Sequence, residues 1–207
     1  MPKQYRALAV AILAVTVAVA SGYARGKEAP TAPGTYKQWG PDIDTITIVK
    51  TLKLSDYDNV IVMPFDTSKT PMPDKSEKSY ESVKSALDSY TESLVEALRD
   101  ELKGKSVKQS SSSSKSARTL IIRGSVDDIS PGSRAKRYVG GFGAGAAGNK
   151  TSGQIVDAKS GAVLIRFTQE RRSAGTWKFA GGNDKQVMRD SIHAMGQDIA
   201  HMLEVFK

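Results

Sequence analysis

The residues with the most capacity for chemistry lie in the second half of the chain. Gly143-Ala144-Gly145-Ala146-Ala147-Gly148 spells G-x-G-x-x-G, and Lys150-Thr151 follows closely. Such a run cradles a dinucleotide when a buried strand leads into it and a helix opens out of it, so that the helix N-terminus meets the pyrophosphate. Neither flank fits. The preceding SRAKRYVG is basic and polar, and the following KTSGQIV reads as a strand. The P-loop spelling fails as well, because Asn149 separates Gly148 from Lys150. The segment reads instead as a glycine-rich connection whose small residues permit sharp turns and close backbone approach. Tyr138, Val139 and Phe142 would pin it, leaving Arg134, Lys136 and Arg137 solvated or forming an anion-binding rim.

Other chemistries find few residues to use. There are two histidines, His193 and His201, and on one helix they stand about 80° apart, too far to share a metal. Asp190 and His193 are three apart, the spacing of a surface pair. The chain has no cysteine, which excludes a disulfide framework, a thiolate nucleophile and cysteine-ligated metal. No G-x-S-x-G elbow and no calcium-loop spacing occur. Asp127, Asp128 and Asp157 could approach one another near strand ends, where carboxylates more often cap turns than do acid/base work. Arg171-Arg172 beside Trp177 and Phe179 is the best contact surface, since arginine and aromatic residues dominate binding hot spots. The competing reading folds those aromatics back onto the core.

The elements that must carry these residues follow from periodicity. Residues 25–41 hold three prolines and three glycines and read as a flexible lead-in. Ile43, Ile46 and Ile48 suggest a short or edge strand, and Val60-Ile61-Val62-Met63 a strand covered on both faces. Tyr80, Val83, Leu87, Tyr90, Leu94, Leu98 and Leu102 recur at steps of three and four, predicting one amphipathic helix from about 77 to 103, stopped by Gly104. KQSSSSSKS (108–116) reads as a loop. Strands are expected over 117–129, with Gly124 at a bulge, near 151–156, and over 162–171, the last two joined by a turn at 157–161. Met188, Ile192, Met195, Ile199, Met202 and Phe206 form the inward stripe of a final helix. The β-α-β portion implies a parallel pair and the later hairpin an antiparallel one. The fold class is α/β in the α+β sense: a mixed sheet of about five strands with two amphipathic helices on one face.

The chain of 207 residues has a net charge of +8, unevenly placed. Residues 25–114 carry 13 Lys+Arg against 14 Asp+Glu, whereas residues 115–207 carry 15 against 8. The basic half suits an anionic partner, though no dense run of lysine or arginine occurs. Residues 1–24 have the layout of a secretory signal peptide: a basic MPKQYR, then apolar ALAVAILAVTVAVA, then small residues before Ala20 and Ala24. Cleavage after either, or retention of the apolar stretch as an anchor, remain open at this point. Ala20-Ser21-Gly22 is the run that precedes a lipid-bearing cysteine, but position 23 is Tyr, so no lipid is attached there.

Two longer strings carry a resemblance. DISPGSRAKRYVGGFGAG (128–145) and IVDAKSGAVL (155–164), with Val60-Ile61-Val62-Met63-Pro64-Phe65 as a first core strand, resemble the domain-of-unknown-function 4410 family of bacterial envelope proteins over roughly residues 55–205. The resemblance implies an export signal, often a lipoprotein cysteine, and no catalytic activity. The expectation is one domain over 42–207, exported to the periplasm or the outer membrane. It would bind an envelope protein or an anionic envelope component through Arg134, Lys136, Arg137, Arg171, Arg172, Trp177 and Phe179. Weak membrane association is compatible with it. No catalytic residue, cofactor, metal or nucleic acid is expected. The alternative is a periplasmic hydrolase or nucleotide-dependent enzyme using the carboxylates or the glycine segment.

Overall fold

The computed structural model describes residues 29–40, 43–112, 115–130, 148–172 and 184–207. Seven strands form one mixed sheet: β1 (Gly34–Trp39), β2 (Ile43–Ile48), β3 (Asn59–Val62), β4 (Ser106–Gln109), β5 (Thr119–Ser130), β6 (Gly148–Asp157) and β7 (Val163–Arg172). Their order is β1-β2-β7-β6-β5-β3-β4. Strand β3 runs parallel to β4 and β5, and every other pairing is antiparallel. Three helices, α1 (Tyr80–Asp88), α2 (Tyr90–Glu101) and α3 (Asp184–Glu204), complete the α+β fold.

The mixed sheet and the packed helices agree with the sequence-based expectation, but the strand count rises from about five to seven. Strand β1 lies within residues 34–39, expected to be part of a flexible lead-in, and β4 reaches into the serine-rich stretch. Both are edge strands, so each buries little and lacks the apolar alternation that marks interior strands. Strand β2, read as a short or edge strand, is interior, because β1 shields one side of it and β7 the other.

The long helical stripe is present but broken. Ser89 lies between α1 and α2, and its hydroxyl donates to the Ser85 carbonyl at 3.0 Å, a back-bond that bends helices. Val83, Tyr90, Leu94 and Leu98 still face the core, joined there by the α3 stripe Met188, Ile192, Met195, Ile199 and Met202. Gly104 ends the segment with φ +84, a left-handed backbone that glycine adopts without strain. At the far end, Phe206 stacks on Trp39 at 6.0 Å.

Alternation sorts the strand residues into two faces. Ile46, Ile48, Leu120, Ile122, Ile155, Ile165 and Phe167 join the helices in the main core. Ile61, Ile121, Val156 and Ala158 form a small second cluster on the opposite face, with no helical member among the described residues. Gly124 is not the bulge. The register shifts between Val126 and Asp128, and Gly124 makes room for Phe65, whose ring would lie 2.7 Å from a Cβ there. Gly153 likewise lies beneath the Phe167 ring, 2.3 Å from a Cβ position.

One acceptor on the outer edge of β4 is occupied. Ser106 and Ser110 turn their N–H groups toward the β3 side, so Val107 presents its carbonyl outward. Arg99 of α2 donates to that carbonyl at 3.3 Å.

Candidate functional site

Strands β6 and β7 continue past the apolar core, and their core-facing positions turn polar. Asn149 and Thr151 on β6 and Gln169 on β7 are fully buried. The register sets Thr151 opposite Gln169 and Asn149 opposite Arg171. Tyr90 of α2 reaches this patch. Its hydroxyl lies 3.1 Å from Asn149 Oδ1, 2.5 Å from Thr151 Oγ1 and 3.1 Å from Met195 Sδ. Burial pushes the Tyr90 phenol up to about 12, so it is a neutral hydrogen-bonding group at neutral pH.

Asp198 of α3 enters from the other side and is only 3% exposed. Arg171 meets it with a fork: Nε donates to Oδ2 at 2.5 Å and Nη2 to Oδ1 at 2.6 Å. Gln169 Nε2 also donates to Asp198 Oδ2. A buried carboxylate is tolerable only with this kind of compensation. The Arg171 side chain, 39% exposed, thus clamps α3 to the sheet. Two buried amide atoms, Asn149 Nδ2 and Gln169 Oε1, have no hydrogen-bond partner among the described residues.

The carboxylates singled out in the sequence do not converge. Asp157 lies opposite Leu120 and Asp128 opposite Lys150, which places them about 25 Å apart along the strands. Asp157 holds the turn into β7, accepting from Ser160 N–H at 2.7 Å and Ser160 Oγ at 2.6 Å, and also from Tyr57 at 3.2 Å. The Ser160 hydroxyl bond is the main reason its carboxyl titrates below the usual range. Burial and the same Asp157 charge push the Tyr57 phenol up to about 12. Asp127 accepts from Ser125 at 2.9 Å and Ser152 at 2.5 Å. His193 and His201 stand on separate carboxylates of α2, 3.9 Å from Asp100 and 3.7 Å from Glu101. Among the described residues, no three His, Asp or Glu side chains gather into a metal-ligating group.

Arg171 is the one predicted contact residue whose side chain is described, and its guanidinium is engaged with Asp198. Arg172 is the last residue of β7, opposite Gly148. Arg134, Lys136, Arg137, Trp177 and Phe179 lie outside the described residues, as do residues 1–28 and most of the glycine run. The strand expected after the glycines is present as β6.

A second polar surface went unread in the sequence. On the sheet face away from the helices, Arg123, Gln154 and Arg166 stand directly opposite one another across β5, β6 and β7, and Thr47 of β2 extends the row. Arg123 donates twice to the neutral Gln154 Oε1, at 3.3 and 3.1 Å. Arg166 is exposed and has no carboxylate partner among the described residues. The period-2 alternation that buries Ile122, Ile165 and Phe167 already assigns Arg123 and Arg166 to the outside. The missing signal is register, which depends on strand order.

Among solved structures, the chain is similar to the PelC dodecamer from Paraburkholderia phytofirmans, with 16% identity, coverage of 73% of this chain and 96% of that one, and a TM-score of 0.45. It is also similar to a neuraminyllactose-binding hemagglutinin homolog from Helicobacter pylori (16% identity, 76% and 87% coverage, TM-score 0.35). A third likeness is to a Xanthomonas campestris protein of family DUF330 (13% identity, 71% and 84% coverage, TM-score 0.39). No curated protein matches. Among the described residues, no helix is long and apolar enough to cross a membrane. The family model for the Domain of unknown function (DUF4410) matches residues 43–176, spanning β2 to the end of β7, and the chain belongs to that family.

Proposed function

We propose that this DUF4410 domain is an exported module of the bacterial cell envelope that works by binding an envelope component rather than by turning over a substrate. The observation that supports it best is the sheet face opposite the helices, where Arg123 and Arg166 stand in one row and, among the described residues, neither is paired with a carboxylate. Cationic side chains held on a rigid sheet without a carboxylate partner are suited to an external anion. The carboxylates a hydrolase would need have other partners: Asp127 is held by two serine hydroxyls and Asp157 by a turn.

Export rests on the signal-like residues 1–24, and the absence of a lipid at position 23 on Tyr23. Residues Arg134, Lys136, Arg137, Arg172, Trp177 and Phe179 are further candidates for contact in this reading. Affinity capture from a bacterial envelope extract tests it. The wild-type chain retains a defined set of components, and Arg123→Glu with Arg166→Glu loses them while its circular dichroism is unchanged. An unaltered set removes that face from the function. An Asp127→Ala, Asp128→Ala, Asp157→Ala variant that stays folded but loses an assignable turnover would favour the enzyme.

A further inference from the structure

We infer that the open sheet face binds an acidic polysaccharide, an extended chain of hydroxyl-bearing sugars with carboxylates at intervals. This rests on the binding reading above and names its ligand. Two rows of the sheet carry the argument. The first runs Thr35, Thr47, Arg166, Gln154, Arg123, and the second Lys37, Thr45, Thr168, Ser152, Ser125, each read directly from the strand register. They lie about 7 Å apart along the strands, and Arg123 and Arg166 about 10 Å apart across them.

The chemistry of these rows is uniform. Seven of the ten side chains are hydroxyls or an amide that exchange hydrogen bonds with sugar hydroxyls, and the other three are cations. Arginine takes a carboxylate in a bidentate fork. Arg166 has its fork free of any carboxylate among the described residues, and Arg123 shares its own only with a neutral amide. Part of the hydroxyl grid is already fixed, with Thr35 and Thr47 Oγ1 atoms 3.0 Å apart and Ser152 on Asp127. A rigid hydroxyl grid needs little ordering on binding.

The same rows disfavour other occupants. Among the described residues the exposed large apolar ones are Val49, Met72 and Val205, and none stands in either row. A membrane surface takes apolar side chains for insertion, and a protein interface takes aromatic anchors. Single-stranded nucleic acid takes aromatic stacking platforms. The rows hold none of these.

Calorimetry of the full chain with oligogalacturonate tests the inference, with neutral dextran, inorganic phosphate and vesicles containing anionic phospholipid as the other arms. Submillimolar binding is expected to oligogalacturonate and not to dextran, phosphate or vesicles, weakening as salt rises. Arg166→Glu lowers the affinity about tenfold, the loss of one charge-assisted fork. Arg166→Lys, which keeps charge without the fork, falls between, and Arg123→Glu with Arg166→Glu abolishes binding with unchanged circular dichroism. Binding that survives the double substitution overturns the inference, as does preference for vesicles or phosphate. If oligogalacturonate fails while envelope capture still depends on Arg123 and Arg166, the ligand class is overturned and the binding reading stands. If both fail, both are overturned.

Discussion

Arg171 is where a surface-looking residue proves internal. Its fork compensates Asp198, which is 3% exposed. Arg171→Ala would strip a buried carboxylate of its guanidinium fork and is expected to lower stability by about 3 kcal/mol, measured by urea unfolding. Arg171→Met combined with Asp198→Leu removes both charges and recovers most of that loss. Tyr90 makes a second prediction. A phenol raised from 10 to about 12 in the folded state gives stability that is complete below pH 10 and is lost as pH rises through 12. For this buried group the effect is about 3 kcal/mol. Tyr90→Phe flattens alkaline unfolding between those pH values, as Tyr57→Phe does to a smaller degree, while costing about 1 kcal/mol at neutral pH. This network was partly legible in the sequence. Carrying the core-facing alternation of β7 past Ile165 and Phe167 gives Gln169 and Arg171, and the same step on β6 gives Thr151 and Asn149. Their partners Asp198 and Tyr90 were not legible, because their meeting depends on how α2 and α3 settle on the sheet.

The helical and interior strand elements were readable because each carries an apolar period, and the same stripes are buried. What failed was local. Ser89 interrupts a stripe that is continuous in composition, through a hydroxyl that competes for a helical carbonyl. The edge strands carry no stripe at all. Two glycines record close packing between elements. Gly196 of α3 sits against α2, where a Cβ would lie 2.6 Å from Ala97 Cβ, and Gly153 lies under Phe167. Gly196→Ala and Gly153→Ala are each expected to cost about 1–3 kcal/mol by overpacking, read as a lowered unfolding midpoint. Phe167→Leu should reduce the cost of Gly153→Ala, whereas it leaves that of Gly196→Ala unchanged, since the two sites share no partner. Gly161 is the contrasting case. It has φ +71 with nothing within 4 Å of a Cβ, so Gly161→Ala costs about 1 kcal/mol from backbone conformation alone.

At the scale of the molecule, the two faces of the sheet differ. Among the described residues, helices cover one face of the seven-stranded sheet, and the other carries a small apolar cluster bordered by arginine and hydroxyl rows. The sequence shows the excess positive charge of residues 115–207 but not that Arg123 and Arg166 from that half share a row, since this needs the order β7-β6-β5. A chain whose function lies on that face should keep its ligand through Arg171→Met with Asp198→Leu, a change on the opposite side, and lose it through Arg123→Glu with Arg166→Glu. Parallel capture assays at matched folded fraction decide this. The guanidinium of Arg99 over the Val107 carbonyl has its own consequence for association. With that acceptor occupied, a neighbouring molecule that adds a strand at this rim must first displace Arg99, which disfavours backbone pairing there. Removing Arg99 would expose the rim to runaway stacking, visible as light scattering that grows with protein concentration.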